Sequence, residues 1–223
     1  MTHAPVPEQS QPEPHLSRED SQPPAPFDAG EPPRLVLASR SPRRQELLRE
    51  AGYDFIIDPA DVDEDDYPAE ALPADLAVRL ARMKSHAIAS KFPNDVILGA
   101  DTIVALGDRI IGKPRDEAHA RSILKLLSGT THVVITGVSV IRRAVEYTEE
   151  RRIMSAVRMR LLTHKDIDLY IESGQWQGKA GGYGIQDNDP FVQRMSGCHT
   201  NIVGLPMTTT KAMLTAAGIT PRQ

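Results

Sequence analysis

Along the chain, apolar residues fall into short runs and helically spaced sets that alternate from position 35 onward. Leu35, Val36, Leu37 and Ala38 predict a short strand, followed by a helix over 42–51 that Gly52 stops. A second strand over 53–57 runs into the acidic stretch DVDEDD at 61–66. Leu76, Ala77, Leu80, Ala81, Ala87 and Ile88 recur at helical spacing across 73–90, with Pro73 in the first turn. VILGADTIVAL (96–106) is apolar and β-branched throughout and reads as a buried strand, and Gly107-Asp108 turns it into a hairpin partner at 109–111.

A helix follows over about 116–127, closed by Ser128-Gly129. The segments 131–141 and 151–162 read as long strands joined through 142–150. Thr163 opens a helix over 164–172, with Asp166 as its capping-box partner. A Gly-rich loop (178–186), a short strand pair near 190–203 and a helix after Pro206 complete the pattern. Strands and helices alternate early and hairpin-like neighbours dominate later. That order predicts an α/β fold on a mixed, partly antiparallel sheet rather than a doubly wound parallel one.

Composition changes the picture at the N-terminus. Residues 1–33 hold nine of the 18 prolines and almost no large apolar side chain, so they cannot bury enough surface to offset the entropy of ordering. The expected organisation is a disordered, acidic, Pro-rich tail at 1–33 and one globular domain at 34–223. A Pro-rich docking ligand is the alternative reading of the tail, but it contains no regular PxxP series.

Six acids against Arg18 give the tail a charge of −5, so the formal −4 of the whole chain leaves the rest near +1. A near-neutral domain argues against a general nucleic-acid binder. No apolar run approaches the ~18 residues a bilayer span requires, and no signal-peptide layout opens the chain, which makes a cytoplasmic protein without a membrane partner the expectation. The single cysteine, Cys198, cannot form an internal disulfide.

Four stretches are candidates for chemistry. GDRIIGKP (107–114) fits the phosphate-loop pattern only until Pro114, which offers neither hydroxyl nor N–H, so that reading is rejected while Lys113 remains well placed to meet an anion. In LASRSPRR (37–44), Pro42 suits the first helical position and Ser39 or Ser41 the cap, which sets Arg43 and Arg44 at the helix end where cations are disfavoured. Two readings stand: a phosphate site in which free N–H groups, hydroxyls and guanidinium groups converge, or a capped surface helix. Asp101, a charge inside an apolar strand, is costly unless paired or metal-bound, which marks it as functional or as a structural carboxylate. Glu64 could add a second carboxylate, although acid runs are usually solvated loops. GKAGGYGIQ permits close backbone approach to a ligand, and Gln186 offers the donor and acceptor that reading a base edge requires.

Taken in order, LASRSPRRQELL, VDED, ARMKSHA, GADTIV, IIGKPRDEAHA, LSGTTHVVITGV, KAGGYGIQ and VGLP resemble the Maf family of nucleoside triphosphate pyrophosphatases. The resemblance runs from about Leu35 to the last helix. It implies an elongated mixed sheet with flanking helices and two lobes around a cleft, similar to inosine triphosphate pyrophosphatases. It also implies metal-assisted (Mg²⁺ or Mn²⁺) hydrolysis of a nucleoside triphosphate between its α and β phosphates. On this resemblance Asp101 takes the place of the general base, Ser39, Arg43, Arg44, Lys84 and Lys113 the phosphate-facing positions, and Glu64 an acidic position that joins Asp101 in holding metal. Arg43, Thr102 and Gln186 match the subgroup that resembles dTTP/UTP pyrophosphatases. Asp187 departs from the Gly usual after that glutamine and bears on the shape of the base pocket. Two rival functions stay open: a nucleotide-binding regulator of cell division and septum formation, and a purine-directed pyrophosphatase. The family often forms dimers, so a homodimer is among the expectations.

Overall fold

A computed structural model describes residues 32–64, 66–68, 70–185 and 191–222. The expected tail lies almost wholly outside these residues, and so do Gln186 and Asp187. Among the described residues, seven strands form one sheet in the order β2 (Phe55–Ile57), β1 (Leu35–Leu37), β3 (Val96–Leu106), β5 (Thr131–Arg142), β6 (Tyr147–Met159) and β7 (Val192–Arg194), with β4 (Arg109–Ile111) on the edge of β3. β1 runs parallel to β2 and β3, and every other pairing is antiparallel, which is the mixed sheet the sequence predicts.

Alternation along β3 decides what each face meets. Ile97, Ile103 and Ala105 face α2 (Pro73–Ala89), packing with Leu76, Ala77, Leu80 and Ile88. Leu98 and Ala100 face the other way, into a cluster with Leu48 of α1 (Pro42–Glu50) and Met213 and Leu214 near the C-terminus. Further along that second face, Val104 and Val134 join a separate cluster built on α3 (Glu117–Leu127) and α4 (His164–Glu172).

The approach of α2 depends on two glycines of the facing strands. A Cβ at Gly99 would lie 2.3 Å from the Ala81 carbonyl oxygen, and one at Gly137 would lie 2.2 Å from that of Ala77. Real Cβ atoms do not come so close to backbone, so glycine at both positions lets α2 rest directly on the sheet.

Most predicted elements are where the sequence places them. α1 begins at Pro42 with Ser41 as its cap, and Thr163 and Asp166 form the full capping box of α4. Two readings need correction. The strand expected at 151–162 is Tyr147–Met159, so the expected linker shrinks to a turn in which Glu146 takes a left-handed φ of 54°. Of the strand pair expected near 190–203, the described residues contain β7 alone, and His199–Val203 form a short helix, α5. The final helix, α6, spans Met207–Ala216.

Candidate active site

The sheet has a gap on one edge of β3. β1 pairs with β3 only at Val96, Ile97 and Leu98, and β4 pairs only from Val104 onward. Between them the edge of β3 over 99–103 has no strand beside it among the described residues, and a cavity of about 410 Å³ opens there. The chain leaving β1 enters the Ser39–Ser41 turn and α1, which wall the cavity on one side, while Lys113 and the loop from Gly178 to Gly184 wall it on another. A cavity at the end of one parallel strand, where its neighbour continues, is the usual position of a ligand in such sheets.

Asp101 sits in the middle of the gap and on the α2 face. Its carboxylate is almost buried and accepts from Lys84 Nζ at 2.6 Å. Lys84 comes from α2, held close by the Gly99 and Gly137 contacts, and its ammonium lies 2.7 Å from Glu64 Oε1. Glu64 continues the chain to Lys113 Nζ at 2.8 Å. Four residues separated in sequence by as much as 49 positions thus form one ion chain, Asp101–Lys84–Glu64–Lys113. Burial pushes the Glu64 carboxyl up, but the charges and hydrogen bonds of Lys84 and Lys113 outweigh it and hold it at about 2.

The opposite face of β3 carries Thr102, and Arg44 meets it there. Arg44 is 7% exposed. Its Nη1 donates to Ser39 Oγ at 3.0 Å, its Nε to the Gly204 carbonyl at 2.9 Å and its Nη2 to Thr102 Oγ1 at 3.1 Å. Burial pulls the Arg44 pKa down while the charges of Asp101 and Glu64 pull it up, so the arginine and the ion chain already feel one another. Ser39 Oγ also accepts from the Ser41 N–H at 3.2 Å, and Ser41 Oγ caps the Arg44 N–H. Arg43 lines the same cavity, half-buried.

Of the residues singled out in sequence, the structure brings Ser39, Arg43, Arg44, Glu64, Lys84, Asp101, Thr102 and Lys113 to one cavity. Gln186 lies outside the described residues, although Tyr183 and Gly184, just before it, line the wall. Tyr183 is fixed from behind, its phenol oxygen 2.5 Å from Nε2 of His132, a wholly buried ring that burial holds at a pKa of about 4 and hence neutral. Sequence reasoning did not single out Thr136, Asn201 and Gly204, which support Arg44 from behind. The signal that marks Asp101, a polar residue inside a β-branched run, is also present at Thr136 in VVITGV.

The metal expectation can be tested on the donor set. Among the described residues no group of three or more His, Cys, Asp or Glu side chains could hold a metal ion. Glu64 and Asp101 nevertheless share one ammonium, so a single small cation can reach both. Mg²⁺ commonly takes one or two carboxylates and completes its shell with water and substrate phosphates, which this pair fits.

The family model described as Maf-like protein matches residues 34–217, nearly the whole globular part. The chain belongs to the Maf family. Among curated Maf relatives, a dTTP/UTP pyrophosphatase of Roseobacter denitrificans is 46% identical over 186 residues, covering 82% of this chain and 97% of its own. Another of that name, from Anaeromyxobacter dehalogenans, is 45% identical over 83% of this chain and 95% of its own. A third, from Pyrococcus furiosus, is 42% identical over 78% and 90%. Among solved structures, a nucleoside-triphosphatase (dITP/XTP pyrophosphatase) of Mycobacterium abscessus is similar at a TM-score of 0.40 and 11% identity, covering 83% of this chain and 95% of that one, a likeness too distant to bear on function.

Proposed function

We propose that this Maf-family chain hydrolyses nucleoside triphosphates, dTTP and UTP foremost, between the α and β phosphates, giving a nucleoside monophosphate and pyrophosphate. The observation that carries the reading is a nearly buried carboxylate, Asp101, placed in a cavity whose walls are a helix N-terminus and a set of cations. The names of its relatives supply the nucleotides.

In this reading the N-terminus of α1, Arg43 and Arg44 receive the triphosphate, and Lys84 and Lys113 exchange their carboxylate partners for phosphate oxygens. Asp101 orients a water for attack on the α phosphorus and takes its proton as the new P–O bond forms. The bond to the β-phosphate oxygen breaks, and the cations already in place offset the negative charge that collects on the departing pyrophosphate. Glu64 and Asp101 are the residues that would hold Mg²⁺ or Mn²⁺, whose contribution when bound is Lewis-acid stabilisation of the phosphoryl oxygens. Arg43, Thr102 and Gln186 are assigned to nucleotide choice. The substrate pool implies a cytoplasmic site of action. Among the described residues no helix is long and apolar enough to cross a membrane.

A phosphate-release assay over dTTP, UTP, dCTP, GTP and ITP with Mg²⁺, run with and without added inorganic pyrophosphatase, tests the proposal. Phosphate that appears only with the coupling enzyme reports α–β cleavage, and Asp101→Asn is expected to lower turnover of dTTP and UTP by about 10²–10⁴-fold. An Asp101→Asn variant as active as wild type would remove Asp101 as the base. Turnover confined to GTP or ITP would favour the purine-directed rival, and tight dTTP binding without hydrolysis the regulator.

A further inference from the structure

Arg44 is a buried cation whose three hydrogen-bond acceptors, Ser39, Thr102 and Gly204, are all neutral. Held this way, it keeps its charge for a ligand, and its direction depends on how those acceptors are themselves fixed. Behind Thr102 stands Thr136, the residue across from it on β5, wholly buried and with its Oγ1 3.0 Å from that of Thr102. Thr136 Oγ1 also lies 3.1 Å from the Asn201 carbonyl, and Thr102 Oγ1 lies 3.3 Å from the Gly204 carbonyl.

The row therefore begins at a group that can only donate, the guanidinium, and ends at a carbonyl, which can only accept. The proton order that uses its shorter contacts is Arg44 to Thr102, Thr102 to Thr136, and Thr136 to the Asn201 oxygen. The reverse order at the two threonines sends the Thr102 proton to Gly204 over the longest of these contacts. In both orders the one hydroxyl proton of Thr102 is committed inside the protein and its oxygen accepts from Arg44. Whatever part Thr102 takes in nucleotide choice therefore includes holding the direction of the arginine.

Asn201 makes a firm end to the row. Its Nδ2 donates to the Val134 carbonyl at 3.1 Å and to Ser155 Oγ at 2.9 Å, tying α5 to both β5 and β6 with no side-chain exposure. The polar row lies in the seam between the two apolar clusters on this face of the sheet, where Val104 and Val134 belong to one and Ala100 and Val138 to the other.

We propose that Thr136 is a positioning residue: backed by the Asn201 carbonyl, it orients the Thr102 hydroxyl so that its lone pair meets Arg44 and aims the guanidinium at the phosphates. The inference rests on the nucleotide-hydrolysing reading for its substrate. Thr136→Val keeps the shape and β-branching of the side chain but removes the hydroxyl, and Thr136→Ser keeps the hydroxyl. The measurements are KM and kcat for dTTP, and direct calorimetric binding of tripolyphosphate, which has no base and reads the phosphate-facing groups whether or not the chain hydrolyses nucleotides.

Thr136→Val should raise KM and weaken tripolyphosphate binding about tenfold, the scale of one lost hydrogen bond to a charged group, while kcat stays within about threefold. Thr136→Ser should stay within about twofold of wild type in both. A valine confined to a packing role would leave both constants unchanged, and that result overturns the inference, as does a serine variant as impaired as the valine. If Thr136→Val does not fold, Thr136→Ala must show the same loss. A wild type that binds tripolyphosphate but hydrolyses no nucleotide overturns the functional reading alone, since the binding measurements on the variants still decide the role of Thr136.

Discussion

At the scale of single residues, burial separates two lysines that look equivalent in sequence. Lys84 is 7% exposed and sits between two carboxylates, whereas Lys113 is 56% exposed and touches one. Removing one partner from a buried ion pair leaves an uncompensated charge, at a cost of about 3–5 kcal/mol, while an exposed pair contributes under about 1 kcal/mol. Lys84→Met is therefore expected to lower the urea midpoint strongly and abolish measurable turnover. Lys113→Met should unfold close to wild type yet show a raised KM for dTTP. Equal stabilities for the two variants in urea titrations would contradict the burial argument. The same reasoning accounts for Arg43 and Arg44, which oppose the helix dipole of α1 in the empty protein and face a cavity suited to an anion.

At the scale of elements, the reach of Lys84 to Asp101 depends on where α2 lies, and α2 lies on Gly99 and Gly137. Asp101 pairs across the sheet with Gly137 and stands two residues beyond Gly99, so the contacts that seat the helix surround the carboxylate. Gly99→Ala or Gly137→Ala must lift α2, with an overpacking cost of about 1–3 kcal/mol or more. The expected result is a melting temperature lower by about 2–4 °C per kcal/mol, together with a fall in kcat, checked by calorimetry and dTTP turnover. If the alanine variants lost stability but kept full turnover, the link between helix seating and the ion pair would fail. The elements that carry the site were legible because local signals agree there: Pro42 after Ser41 fixes the start of α1, and an unbroken β-branched run fixes β3. The errors arose where those signals conflict. Tyr147, Thr148, Glu149 and Glu150 read as part of a polar linker, but half of a strand near the sheet edge can be charged when α2 supplies partners such as Arg82 for Glu150. His199–Val203 is too short to show a helical period, and its β-branched Ile202 and Val203 imitate a strand. Thr136, Asn201 and Gly204 were missed because neutral polar residues in an apolar run raise less suspicion than a charge, although burial constrains them as strictly.

At the scale of the whole molecule, the buried apolar residues of the described structure all lie between Leu35 and Ile219, and the matched family region spans 34–217. We propose that residues 34–223 suffice for folding and activity. A chain beginning at Pro32 keeps Arg34, whose N–H and guanidinium bind Asp95. It should match the full chain in melting temperature and in kcat/KM for dTTP, and a loss of either would show that the acidic segment serves the domain. The Asp101–Lys84–Glu64–Lys113 chain carries one more consequence, for the speed of encounter with substrate. Lys84 and Lys113 are already neutralised by carboxylates before any ligand arrives, which leaves the arginines of the α1 turn to project most of the attractive field into solvent. Association with a polyanion is then a change of partners at contact more than a long-range capture, and its rate should respond only weakly to ionic strength.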